Sequence, residues 1–189
     1  MSFKKRARRF WRFLHEDSWY SWIVSLILIV IFIKFVFFPL LSLLTGSSLP
    51  LVVIESCSMY HESNFDEWWD KNAAWYEARN ISKEDFKSFN YKNGLNKGDI
   101  ILVTGWGEYE KGDVIIFNAA TAHPIIHRIV DVNPLATKGD HNLNQLDIEK
   151  NINEENIIGK ASFRLPFVGW VKLAIFELLR SESERGLCK

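Results

Sequence analysis

Two serines, one histidine and a pair of aspartates carry the side chains in this sequence that could do chemistry. Ser56-Cys57-Ser58-Met59 closes a short β-like run, Leu51 to Ile54. Two hydroxyls flanking one residue at a strand end most often make a turn in which they bond the backbone. They can also be a nucleophile and a neighbouring donor. A nucleophilic hydroxyl needs a base to take its proton, and the base needs a third group to fix its tautomer.

The base could be His127. Pro124 to Asp131 reads as a strand by its β-branched content, and a period of two sends Ile125, His127 and Ile129 to one face and Ile126, Arg128 and Val130 to the other. A histidine between isoleucines is partly buried and requires a hydrogen-bond partner, whether it is a satisfied core residue or a base. An imidazole, ordinarily titrating near about pH 6.5, accepts a proton at neutral pH without the desolvation a lysine would need. His123 and His127 would make a metal pair only on a helix, which Pro124 argues against, so no metal and no cofactor is expected.

Lys-Gly-Asp occurs three times, at 97–99, 111–113 and 138–140. The first two feed β-like runs, Asp99 to Thr104 and Val114 to Phe117, and their acids have a turn to make. The third is followed by the polar stretch His141 to Asp147, which has no strand pattern. Asp140 and Asp147 are therefore freer for function, and either could complete a set with Ser58 and His127.

These groups sit behind an N-terminal anchor. The chain of 189 residues is formally neutral, but residues 1–12 carry six basic residues and no acid, while residues 45–189 hold 16 basic and 21 acidic residues. An acidic body is a poor phosphate-backbone binder, and basic residues ahead of an apolar run suit membrane topology better than nucleic acid. That run, Trp22 to Leu44, is interrupted by Ser25, Lys34, Pro39 and Ser42. As a helix it would reach roughly 35 Å, enough for a bilayer core of about 30 Å and too long for a cleaved leader's apolar region. Trp19, Tyr20 and Trp22 form an aromatic belt at its start. The basic cluster keeps the N-terminus inside and the body outside.

Two cysteines, Cys57 and Cys188, imply no disulfide framework, and a bridge between them is not expected. Cys57 reads as a small packed side chain. Phe65, Trp68, Trp69, Ala73 and Tyr76 recur at helical spacing, and Ser82 with Asp85 reads as a capping box. Residues 62–93 should therefore be a small helical insertion whose aromatic face packs on a β core. Asn80-Ile81-Ser82 is a glycosylation sequon.

Taken together, five boxes resemble those of type I signal peptidases. They are Ser56-Cys57-Ser58-Met59, Lys97-Gly98-Asp99-Ile100-Ile101, Gly112-Asp113-Val114-Ile115-Ile116-Phe117, Ile126-His127-Arg128-Ile129-Val130 and Thr137-Lys138-Gly139-Asp140-His141-Asn142. The resemblance covers roughly residues 20–172. Histidine ahead of Arg128, where the bacterial branch has lysine, is similar to the archaeal and endoplasmic-reticulum branch. It implies a mainly β, LexA-like fold and a membrane-bound serine endopeptidase cutting signal peptides from exported preproteins after Ala-x-Ala-like sites, in association with the bilayer and the export channel.

Carried over, Ser58 is the nucleophile, His127 the base and Ser56 a donor to the oxyanion. The family usually places its next aspartates five and six residues beyond Asp140, where this chain has Gln145 and Leu146. Asp147 is narrowly favoured as the partner of His127, with Asp140 as a loop-ordering or second acid. His61 also departs from the family, many of whose members have proline there.

The resulting plan is a basic terminus over 1–18, a spanning helix over 19–45, a β domain over 46–167 and an apolar tail over 168–189. Val168 to Leu179 is too short to span, and either lies in the interface or packs on the core or the anchor. Two rivals remain. A LexA-like Ser–Lys hydrolase would require a lysine at the base position, which the strand lacks. A non-catalytic anchored module that binds exported chains would not need Ser58 and His127.

Overall fold

In the computed structural model, residues 3–119, 121, 123–182 and 185–188 are described. They fall into two compact units divided between Leu44 and Thr45.

The first unit is helical. α1 (Phe3–Leu14) buries none of its residues. A turn follows, and the hydroxyl of Ser18 accepts the backbone N–H of Ser21 at 3.3 Å to cap α2 (Trp19–Phe32). α2 runs through a π-helical stretch, Ile33–Phe37, into α3 (Phe38–Thr45). Pro39 lacks the N–H that an unbroken α ladder would use near this point, and π turns are a common way of absorbing such a break. The 27 residues from Trp19 to Thr45 form one helix long and apolar enough to cross a membrane.

The second unit is built on one antiparallel sheet of six strands in the order β1-β2-β6-β3-β4-β5. The strands are β1 (Leu51–Val53), β2 (Ile100–Thr104), β3 (Val114–Phe117), β4 (Ile125–Val132), β5 (Leu135–Lys138) and β6 (Ile157–Leu165). The mainly β expectation is met at this level. The acids of the first two Lys-Gly-Asp turns do structural work: Asp99 accepts the backbone N–H of Asn96 at 2.7 Å, and Asp113 that of Glu110 at 3.1 Å.

β4 alternates as its sequence requires. Ile125 and Ile129 join a core with Ile115, Phe117, Leu135 and Ile152. Val130, from the opposite face, packs with Trp68, Trp69, Tyr76, Ile81 and Phe86. Those aromatic residues come from α4 (Phe65–Glu77) and α5 (Lys83–Ser88), capped by Asn64 and by the Ser82/Asp85 capping box. The aromatic face of the insertion is therefore core. Trp68 stacks on His61 at 3.7 Å between ring centroids and touches Phe86 at 5.0 Å.

The tail forms α6 (Trp170–Phe176) and a 3-10 turn, Glu177–Leu179. Within α6 and this turn Leu173 is the buried side chain, whereas Val171, Ile175, Leu178 and Leu179 are 70–83% exposed. Core packing thus accounts for one side chain of the segment, and its apolar surface faces outward.

Lys138, at the end of β5, is buried beneath the insertion. Its ammonium donates to the carbonyl of Gly139 at 3.0 Å and lies over the rings of Trp75 and Tyr76 at 5.0 and 5.1 Å. Burial pushes its pKa down from 10.5 to about 8. Between those two values the unfolded chain holds a proton that the folded chain has released, so stability rises with pH across that window. Lys138→Met is expected to stabilise the protein at pH 7 by about 1–3 kcal/mol and to flatten this rise. Chemical unfolding in detergent at pH 7 and at pH 10 measures both effects.

Candidate functional site

Ser58 stands on the loop leaving β1, and His127 stands on β4, a residue only 4% exposed. What brings them to one place is a meeting of the sheet's two edges. β1 and β5 are the outer strands, and the chain after β5 returns to the loop after β1, where the N–H of His141 donates to the carbonyl of Ser58 at 2.8 Å. Gly139 lies at this junction. A Cβ on it would stand 2.7 Å from Nε2 of His127, 2.8 Å from the Ser58 carbonyl oxygen and 2.7 Å from Nδ2 of Asn142. The imidazole edge and the serine backbone therefore face the same point, and only a residue without a side chain lets them approach.

The hydroxyls of Ser56 and Ser58 are 3.2 Å apart, and Ser56 Oγ is the partner of Ser58 Oγ among the described residues. Catalytic hydrogen bonds are commonly long or unformed before substrate binds. The orientation of His127 is well defined by contrast. Its Nδ1 bonds the Oε1 carboxylate oxygen of Glu149. A carboxylate only accepts, so Nδ1 donates to it, and in the neutral ring it is Nε2, facing Gly139, that presents the lone pair a base requires.

Glu149 is fully buried and held at both oxygens. The hydroxyl of Thr137 donates to Oε1 at 3.1 Å, and the N–H of Leu146 donates to Oε2 at 2.8 Å. Thr137 is in turn fixed through its carbonyl, which accepts Nε2 of Gln145 at 2.8 Å.

This corrects the sequence expectation for the acids. Asp147, favoured as the partner of His127, points to solvent and pairs with Lys150 at 2.7 Å. Asp147–Glu149 is one 3-10 turn, in which residues two apart leave the axis in different directions, so a turn that aims Glu149 inward aims Asp147 outward. Glu149 lies nine residues past Asp140, beyond the window the resemblance suggested. Its signal was faint: a three-residue spacing from Leu146, where no polar cap marks the turn.

Asp140 is neither free nor exposed. It is buried on the opposite face of the sheet, where Arg128 Nη2 and Nε donate to it at 2.7 and 3.0 Å, Tyr76 Oη donates at 3.3 Å and His61 Nε2 lies at 3.1 Å. Burial pushes the Asp140 carboxyl up, but Arg128 and the bond from His61 outweigh it and hold the group well below the usual carboxylate range. Arg128 also donates to the carbonyls of Asn90, Tyr91 and Gly112 at 2.8–2.9 Å. Asp140 is thus paired and buried away from His127, not free in an exposed loop.

The cysteines also depart from expectation. Cys57, between the two serines, is disulfide-bonded to Cys188 across 131 residues of sequence. Sequence gave no reason to bring the tail back; ion pairs do. Lys172 and Arg180 reach the Glu55 carboxylate at 2.8 and 2.6 Å, and Arg180 also donates to the Glu55 carbonyl at 3.0 Å. Burial raises the Glu55 carboxyl, and these two cations overcome it to leave its pKa lowered. Lys97 meets Glu177 at 2.8 Å, and Glu177 accepts the N–H of Gly186 at 2.7 Å, which carries the chain toward Cys188. The tail is a strap over the loop that carries Ser58.

Compared with protein-family models and with curated proteins, the chain matches none. Among the described residues there is also no cluster of three or more histidine, cysteine or acidic side chains fit to hold a metal ion.

The strap makes a stability prediction. Cys188→Ser is expected to cost about 2–5 kcal/mol in unfolding, because it releases a long loop in the unfolded chain, whereas Arg180→Ala should cost about 1 kcal/mol. Hydrogen exchange should quicken over residues 55–60 and 170–182 in both variants, and most in the disulfide variant.

Proposed function

We propose that this chain is a membrane-anchored serine endopeptidase of the signal-peptidase I type, with a LexA-like β fold and a Ser-His-Glu set in place of the expected Ser-His-Asp. The observation that carries the proposal is the convergence of the Ser58 backbone carbonyl and Nε2 of His127 on Gly139, with Nδ1 of His127 tied to buried Glu149. Ser58 would attack the scissile carbonyl while His127 takes its proton. Glu149 would stabilise the imidazolium that forms, and the Ser56 hydroxyl would help hold the oxyanion.

Substrates and surroundings follow from the same reading. The substrates are preproteins carrying a small-x-small cleavage site, handed over at the membrane, with the export channel as a partner. The helix long and apolar enough to cross a bilayer supports this placement. So do the outward apolar side chains of the tail strap and the disulfide, a bond that persists in oxidising compartments. The orientation proposed is N-terminus in the cytoplasm and β unit outside.

Activity on a preprotein in proteoliposomes tests the proposal. Ser58→Ala is expected to lower the cleavage rate by at least about 10⁴-fold, and wild-type cleavage by that variant would sink the assignment. Glu149→Gln should lose on the order of 10⁴-fold by disturbing the histidine tautomer, while Asp147→Asn should be near wild type. Base catalysis also requires the rate to fall toward acid pH, where an imidazole takes up its proton.

Gly139→Ala tests the geometry independently. Its methyl would occupy the space shared by His127 and the Ser58 backbone, and an ångström of displacement is worth about 10²-fold in rate.

A further inference from the structure

We infer that α1 is a recognition element for an anionic lipid surface, lying along the headgroups of the leaflet that the adjacent apolar helix enters. Three observations lead to it, and none depends on the proposed peptidase activity.

The first is the partition of the helix surface. At 100° per residue, Phe3, Ala7, Phe10, Trp11 and Leu14 share a stripe roughly 100° wide, and Lys4, Lys5, Arg6, Arg8, Arg9 and Arg12 occupy the remainder together with a single apolar residue, Phe13. The second is that, among the described residues, the stripe has little cover: Leu14 at its end is half-buried and the rest is exposed. No residue of α1 is buried, and Phe3 and Trp11 are 85% and 65% exposed. A helix of 12 residues is marginal in water without a surface to pack on. The third is position. His15 Nδ1 bonds the Trp11 carbonyl at 2.9 Å at the end of α1, and Ser18 begins the apolar helix three residues later. α1 is therefore tethered beside the interface of any bilayer its neighbour crosses.

Charge selects the occupant. Six cations and no acid within α1 complement a negative headgroup layer, to which each lysine or arginine is worth about 1 kcal/mol, or roughly fivefold in the ratio of bound to free helix. The only nearby acids, Glu16 and Asp17, lie in the turn beyond it. A nucleic acid would also satisfy the cations but would leave Phe3, Phe10 and Trp11 in water. A lipid surface takes both faces at once: rings among the upper acyl chains and cations among phosphates. The helix would then fix where the chain enters the bilayer and gather anionic lipid around that point.

The test uses the full chain, whose native cysteines are paired, with a single added thiol. Ala7→Cys, on the apolar stripe, and Arg8→Cys, on the basic face, are each labelled with an environment-sensitive fluorophore. The labelled chains are placed in nanodiscs of phosphatidylcholine alone or mixed equally with phosphatidylglycerol. The Ala7 label is expected to shift to the blue and lose access to aqueous quencher in the anionic discs only, and high salt should reverse the shift. The Arg8 label should remain accessible throughout. Replacing Arg6, Arg8 and Arg9 by Gln should lower the bound-to-free ratio of the helix about fivefold per charge. Three results would overturn the inference: an Ala7 label exposed in both discs, a label buried equally in both, or a label shifted by an added oligonucleotide but not by anionic lipid.

Discussion

The buried pair of Arg128 and Asp140 is the contact on which the β unit depends. Arg128 follows His127 on β4, and Asp140 follows Gly139 after β5. With side chains alternating across a strand, pinning Arg128 and Asp140 together on one face fixes His127 and Gly139 on the other. The same guanidinium takes carbonyls from Asn90, Tyr91 and Gly112, and its carbon lies 4.7 Å from the centre of the Phe86 ring. A single side chain thereby ties the aromatic insertion, the turn before β3 and the loop after β5 to one point.

Such a pair is seldom a source of net stability, since desolvating two charges offsets most of their attraction. Its effect is specificity. Losing one partner would strand the other charge in a buried site, so competing registers of β4 against β5 are strongly disfavoured. His61 and Tyr76 complete the coordination of Asp140, which is why the residue after the Ser-Met-Tyr segment is a buried histidine rather than a turn-former. The back of the sheet is a charged and aromatic block, and the front carries His127 and Gly139.

The front is built on the opposite logic. Glu149 satisfies one imidazole nitrogen completely and leaves the other open toward Gly139, where the absence of a side chain makes room. On the far side of Ser58, the loop is held by Glu55, Lys172, Arg180 and the bond between Cys57 and Cys188. One wall of the site is thus set by the sheet's core and the other by the last segment of the chain, which has almost no core of its own.

Local pattern determined a good deal. Alternation in β4, the capping box at Ser82, the turn acids Asp99 and Asp113, the aromatic periodicity of α4 and the long apolar helix were all legible, because each depends on residues within a few positions of one another. Ser58 and His127 could be singled out as candidates by type and setting. Three features could not. Glu149, rather than Asp147, reaches the histidine because a 3-10 turn with no polar cap sets its direction. Asp140 is buried because Arg128, which arrives from a different strand, requires a counter-charge. Cys188 meets Cys57 because ion pairs formed across more than a hundred residues bring the tail home. Sequence by itself determined which segments would be helix, strand and turn, since those are short-range energies. Which charged groups meet depends on the packing of segments far apart in the chain, and only the tertiary structure decided it.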